Sequence, residues 1–127
     1  MNAQPLTGIK KVYFWTGAIL PLVSSFGYLL APSGTVQHFN GEVNNTSKFW
    51  CSVVASGDLV VSYLMLSGIF TKSTEVRQLV IRAYWLFSLF HFGAFWFWHN
   101  VGDRHRNGLM YPAAMIATTA ALLAWGK

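Results

Sequence analysis

Residues 49–70 (FWCSVVASGDLVVSYLMLSGIF) form one apolar run of bilayer length, and its single charged side chain is Asp58. A hydrocarbon core of roughly 30 Å takes about 20 helical residues. Asp58 lies about 14 Å into such a helix, close to the midplane, at ~1.5 Å rise per residue. A charge there costs roughly 2.5–3.5 kcal/mol even on lenient insertion scales, so Asp58 is expected to face protein rather than lipid.

Three more apolar runs accompany it, at residues 12–30, 76–98 and 109–125, which predicts an all-α polytopic membrane protein with four spans in an up-down bundle. The chain is 54% hydrophobic and 10% charged. Soluble domains carry about 25% charged residues, so too few groups are present to coat a water-facing surface. The net charge of +5 does not point to nucleic acid, because the basic residues sit at the ends of apolar runs rather than in a stripe. One cysteine, Cys51, rules out an internal disulfide.

Lys10 and Lys11 before the first run also suit a signal peptide, with residues 31–33 as a loose cleavage site, but the run is long for that and reads as a retained helix. Pro21 removes one backbone donor from it, and Gly17 and Gly27 offer room for a neighbour. Residues 71–74 are a short link, so the second and third spans form an antiparallel hairpin, with Thr74 as cap and Glu75 at the positive helix end. Loop one, residues 31–48, is the longest link, and its overlapping sequons at Asn44 and Asn45 read as turn residues. The fourth span carries an alanine stripe, Ala113, Ala117, Ala120, Ala121 and Ala124, suited to close packing. Lys10, Lys11, Lys72, Arg77, Arg82 and Lys127 lie on the side of the termini and Lys48, Arg104 and Arg106 on the other, a bias that puts the termini on the cytoplasmic-type side.

In the hairpin, Asp58 falls near the level of Phe87, one turn from His91. An Asp58–His91 contact, with Ser62, Tyr84 or Ser88 completing the hydrogen bonds, makes an interhelical polar clamp. A proton relay or an acid–base pair is the functional alternative. A partner subunit facing Asp58, or a carboxyl kept neutral by its surroundings, are the others. Arg82 points away from His91 and is expected to snorkel to the membrane surface. Arg82, Arg104 and Arg106 are candidate contacts to lipid headgroups or to a partner. Only His91 is well inside a span, so bis-histidine haem is not expected. A chlorophyll magnesium on His91 is a weaker option, and a bound lipid is the main ligand expected. Most aromatics of the third span are expected to meet lipid, with Trp50, Trp96, Trp98 and Trp125 in the interfacial belt. No metal-ligand spacing and no catalytic signature is present.

These readings converge on a non-catalytic accessory subunit that contacts membrane lipids and other transmembrane subunits. A respiratory, ATP synthase or photosynthetic assembly in an organellar inner membrane, mitochondrial or thylakoid, is the expected host. The alternative is a small membrane enzyme or a sterol-, quinone- or lipid-binding bundle that uses Asp58 and His91.

Overall fold

The computed structural model describes residues 3–97 and 106–125, with backbone alone for residue 95, residues 106–112 and residues 124–125. Among the described residues the fold is all-helical, with α1 at Gly8–Leu30, α2 at Pro32–His38, α3 at Asn45–Phe70, α4 at Thr74–Phe97 and α5 at Arg106–Trp125. Two of them, α1 and α3, are long and apolar enough to cross a membrane.

Loop one differs from the expected link: it contains α2. Pro32 starts that helix at a position where its missing N–H costs nothing. The Thr35 hydroxyl then reaches back to the end of α1, 3.0 Å from the Ala31 carbonyl and 3.2 Å from the Gly27 carbonyl, which also accepts from the Ala31 N–H at 3.0 Å. Val36 is buried, and Asn40, at φ 53°, turns the chain away. The sequon residues make a capping box: the Asn44 side chain accepts from the Ser47 N–H at 2.8 Å, and the Ser47 hydroxyl accepts from the Asn44 N–H at 3.0 Å. This is why α3 begins at Asn45, before its apolar run.

Ser73, not Thr74, caps α4, accepting from the Val76 N–H at 3.3 Å. Arg77 does more than add a charge at the end of an apolar run. Its guanidinium donates to the carbonyls of Gly68 at 3.1 Å, Thr71 at 3.1 Å and Gln4 at 2.6 Å. It therefore closes the carboxyl end of α3 and pins the N-terminal segment across the α3–α4 turn, where the Ala3 N–H also reaches the Lys72 carbonyl at 2.7 Å.

The most extensive packing joins α1 to α3 and α4 to α5. Along the first seam Phe14 meets Gly68, Gly17 meets Met65, Ala18 meets Ser62 and Ser24 meets Asp58, and just past the end of α1 Pro32 of α2 meets Cys51. The pairs ascend in one helix as they descend in the other, which is an antiparallel register held through the whole length. Gly68 lies under the fully buried Phe14 ring, where a Cβ would come within 2.3 Å of Cε1. Gly17 does the same for Met65 and Tyr84, whereas nothing stands within 4 Å of a Cβ on Gly27, so only the first of the two expected glycines is a contact point.

The core gathers Tyr13, Phe14, Ala18, Val61, Met65, Val80, Ile81, Tyr84, Met115 and Leu122. The face that α5 buries includes Met115, Thr119 and Leu122, while of the expected alanine stripe Ala113, Ala117 and Ala120 are exposed, Ala121 is half-buried and the Ala124 side chain lies outside the described residues. The Thr119 hydroxyl donates to the Met115 carbonyl at 2.6 Å and so accepts from the Tyr13 hydroxyl, tying α1 to α5.

Two stability outcomes are expected in detergent thermal unfolding. Gly68→Ala destabilises by about 1–3 kcal/mol because a packed ring must move, while Gly27→Ala is neutral or stabilising. Thr119→Val leaves the buried Tyr13 hydroxyl without that acceptor and costs about 1–3 kcal/mol, more than Tyr13→Phe, which leaves Thr119 bonded to Met115. Equal losses at residues 68 and 27, or a larger loss for Tyr13→Phe, would contradict these packing assignments.

Candidate functional site

A polar cluster forms where α1, α3 and α4 meet. Asp58 is on the inward stripe of α3 with Cys51, Ala55, Ser62 and Met65, all buried. It is 5% exposed. The Ser24 hydroxyl of α1 donates to its Oδ2 at 2.5 Å, with the Pro21 carbonyl a more distant acceptor at 3.1 Å. A carboxylate competes better than a carbonyl for that proton.

Register sets the level of His91. Gly68 packs on Val80, and Val61 and Met65 pack around Tyr84 across a small void. Seven residues further along each helix stand Asp58 and His91, so the two are at the same height in the α3–α4 pair. They lie near enough to attract one another, and Tyr28 of α1 is within electrostatic reach of Asp58 as well. The His91 ring packs on Phe87 with centroids 4.8 Å apart.

The other expected members take different roles. Ser62 donates its hydroxyl to the Ala18 carbonyl at 2.7 Å, so it bonds α3 to the α1 backbone and not to Asp58. Tyr84 sits lower, stacked on Phe87 at 5.9 Å and edge-on to Tyr13 at 5.6 Å. Ser88 is buried on α4. None of Ser62, Tyr84 and Ser88 supplies the hydrogen bond that Asp58 accepts; Ser24 does. Arg82 is exposed. Arg104 lies outside the described residues, and Arg106 is described only as the first backbone position of α5.

Ser24 and Tyr28 escaped the sequence reading, which searched only the second and third spans for Asp58's partner. Their signal was a stripe at helical spacing, Gly17, Pro21, Ser24 and Tyr28, on one face of the first span. Among the described residues no three His, Cys, Asp or Glu side chains gather to hold a metal ion. Chemically, the cluster offers a carboxylate, a hydroxyl and an imidazole at one level, with a phenol one helical turn further along α1.

Asp58→Asn keeps an oxygen that accepts from Ser24, so the variant is expected to fold with little loss. Ser24→Ala removes the donor from a buried carboxylate and is expected to cost about 1–3 kcal/mol, with the double variant recovering part of that. Thermal unfolding of the four proteins gives the coupling, and strict additivity would show that the Ser24–Asp58 bond contributes nothing. Compared with protein-family models, curated proteins and solved structures, the chain has no match.

Proposed function

We propose that the chain is a membrane-embedded bundle of four spanning helices, α1, α3, α4 and α5, and that it serves as a non-catalytic accessory subunit of a larger membrane assembly. One observation carries the membrane part. Only 33% of the apolar stretch of α1, and 33% of that of α3, is buried. In a water-soluble fold such helices are apolar because they are covered. Here the bulk faces outward: Tyr63, Phe70, Leu79 and Phe90 are each at least 65% exposed. Asp58, Ser25, Ser62, Ser88 and Thr119 are buried while these apolar side chains are not, the reverse of a soluble protein. Tyr13 and Phe14 of α1 are part of the core, which favours a retained helix over a cleaved leader.

The subunit part draws support from the outer surfaces. An open groove of about 410 Å³ runs along α1 between Val12, Trp15, Ile19 and Leu20. The small-residue face of α5, at Ala113, Ala117 and Ala120, suits close approach of another helix. Between α3 and α4 the void beside Tyr84 is about 20 Å³, room for no more than one water. An interior this full at that point leaves the outer faces as the principal recognition surface.

Alkaline carbonate washing is expected to leave the chain in the membrane fraction; release into the wash contradicts membrane embedding. Purification in mild detergent is then expected to bring down other transmembrane chains in fixed proportion, whose identity names the host complex. A chain that remains membrane-embedded yet purifies alone overturns the subunit role and leaves the embedding intact.

A further inference from the structure

The α1 stripe that faces α4 and α5 loses cover along its length. Tyr13, Gly17 and Pro21 are buried, Tyr28 is half-buried and Ser24 is exposed. The matching face of α4 behaves alike: Val80, Ile81, Tyr84 and Ser88 are buried, but His91 and Phe92 are only half-buried. Because α1 and α4 both run antiparallel to α3, they point the same way, and both open toward their carboxyl ends. A wedge-shaped cleft therefore separates them at the level of Ser24 and His91, with α3 as its floor.

Asp58 lies on that floor. Ser24 holds one carboxylate oxygen, and among the described residues Asp58 makes no other hydrogen bond and no ion pair. Its second oxygen is not sealed off, since among the described residues no buried side-chain oxygen or nitrogen is left without a partner. Asp58 is thus 95% covered, with one oxygen bonded to Ser24, and is attracted by His91 without an ion pair among the described residues. In a medium of low dielectric a positive donor completes it far better than a neutral one. The walls suit such a guest: Tyr28 on one side, with Phe87 and the imidazole of His91 on the other, can flank an ammonium group with aromatic faces.

We propose that this cleft binds the protonated amine of a lipophilic molecule, which enters sideways from the bilayer between α1 and α4. Asp58 receives the ammonium group, Ser24 keeps the carboxylate aimed at it, and the apolar body lies outward along the cleft. The site rests on the membrane-embedded reading but not on the subunit role.

The test uses dicyclohexylcarbodiimide on the full chain in phosphatidylcholine vesicles. This apolar reagent attacks carboxyls reachable from hydrocarbon: the acid O–H adds across one C=N bond, and the O-acylisourea rearranges to a stable N-acylurea. The whole reagent is thus added and nothing leaves. Peptide mass spectrometry is expected to find the adduct on Asp58, and none at residue 58 in Asp58→Asn. N,N-dimethyldodecylamine, which cannot form an amide, is expected to slow that labelling about tenfold, the scale of one charge-assisted hydrogen bond, while dodecane does not. Glu75, exposed at the start of α4, serves as the reference carboxyl. Absence of the adduct on a chain that resists carbonate washing overturns the site alone. So does protection by dodecane equal to that by the amine, or equal slowing at Glu75. Release by carbonate overturns the embedding, and the site with it.

Discussion

The close approach of α1 to α3 is the constraint from which the other contacts follow. Gly68 lets the Phe14 ring lie flat against the α3 backbone, and Gly17 gives Met65 and Tyr84 the same allowance from the other side. Ala18 between them is buried with almost no side chain to keep the helices apart. With the backbones this near, the register leaves no slack. Ser62 reaches the Ala18 carbonyl, Ser24 reaches Asp58, and Cys51 comes to 3.8 Å from the Pro32 carbonyl. A helix pair separated by larger side chains would have left each of these polar groups short of its partner. The polar contacts are consequences of apolar packing here, and they lock a register that steric fit has already selected.

Polar satisfaction in this fold is largely local. Ser25 donates to the Leu22 carbonyl, Ser56 to Val53 and Ser67 to Tyr63, each returning its hydroxyl to its own helix. Such bonds need no neighbour, so these serines could be tolerated anywhere along a lipid-facing or buried stripe. Asp58 is different in kind. A carboxylate has no proton to give back to a carbonyl, and it must be met from another helix. The helix that meets it is α1, through a serine one turn beyond Pro21, and the meeting draws the polar cluster to the side where α1 and α4 diverge.

Much of the helical content was legible in the amino-acid sequence because hydrophobic run length needs no tertiary information. The inward stripe of α3, from Cys51 to Met65, was legible for the same reason: Asp58 marks it, and helical spacing extends it. The missing parts depend on partners. Helix α2 is seven residues of ordinary turn composition, and what it gains, the burial of Val36 and the Thr35 bonds back to the end of α1, depends on the folded chain. The alanine stripe of α5 shows that small residues permit close packing without dictating which side is packed; Tyr13 decides it by reaching Thr119 instead. Arg77 read as a surface charge because its three acceptors belong to a helix end and a terminal segment that spacing alone cannot bring together. Ser24 was hidden by the assumption that the short link between the second and third spans makes the third span the partner of Asp58. The tightest seam joins the first and second long helices, and the hairpin turn joins the second and third.

A clamp alone underuses the residue at position 58. An amide would accept the same hydroxyl and would avoid much of the cost of placing a charge in hydrocarbon, which even lenient scales put at roughly 2.5–3.5 kcal/mol. The carboxylate differs from the amide in what its remaining oxygen attracts. If helix pairing were the whole role, that oxygen would be best covered, as the hydroxyls of Ser62 and Thr119 are. Instead α1 and α4 are closed together around Tyr13, Gly17 and Tyr84 and lose cover at Ser24 and His91, so the one strongly acidic group of α3 stands where the bundle begins to part. Charge and opening coincide at a single level, and that coincidence is what a docking site for a cationic head requires.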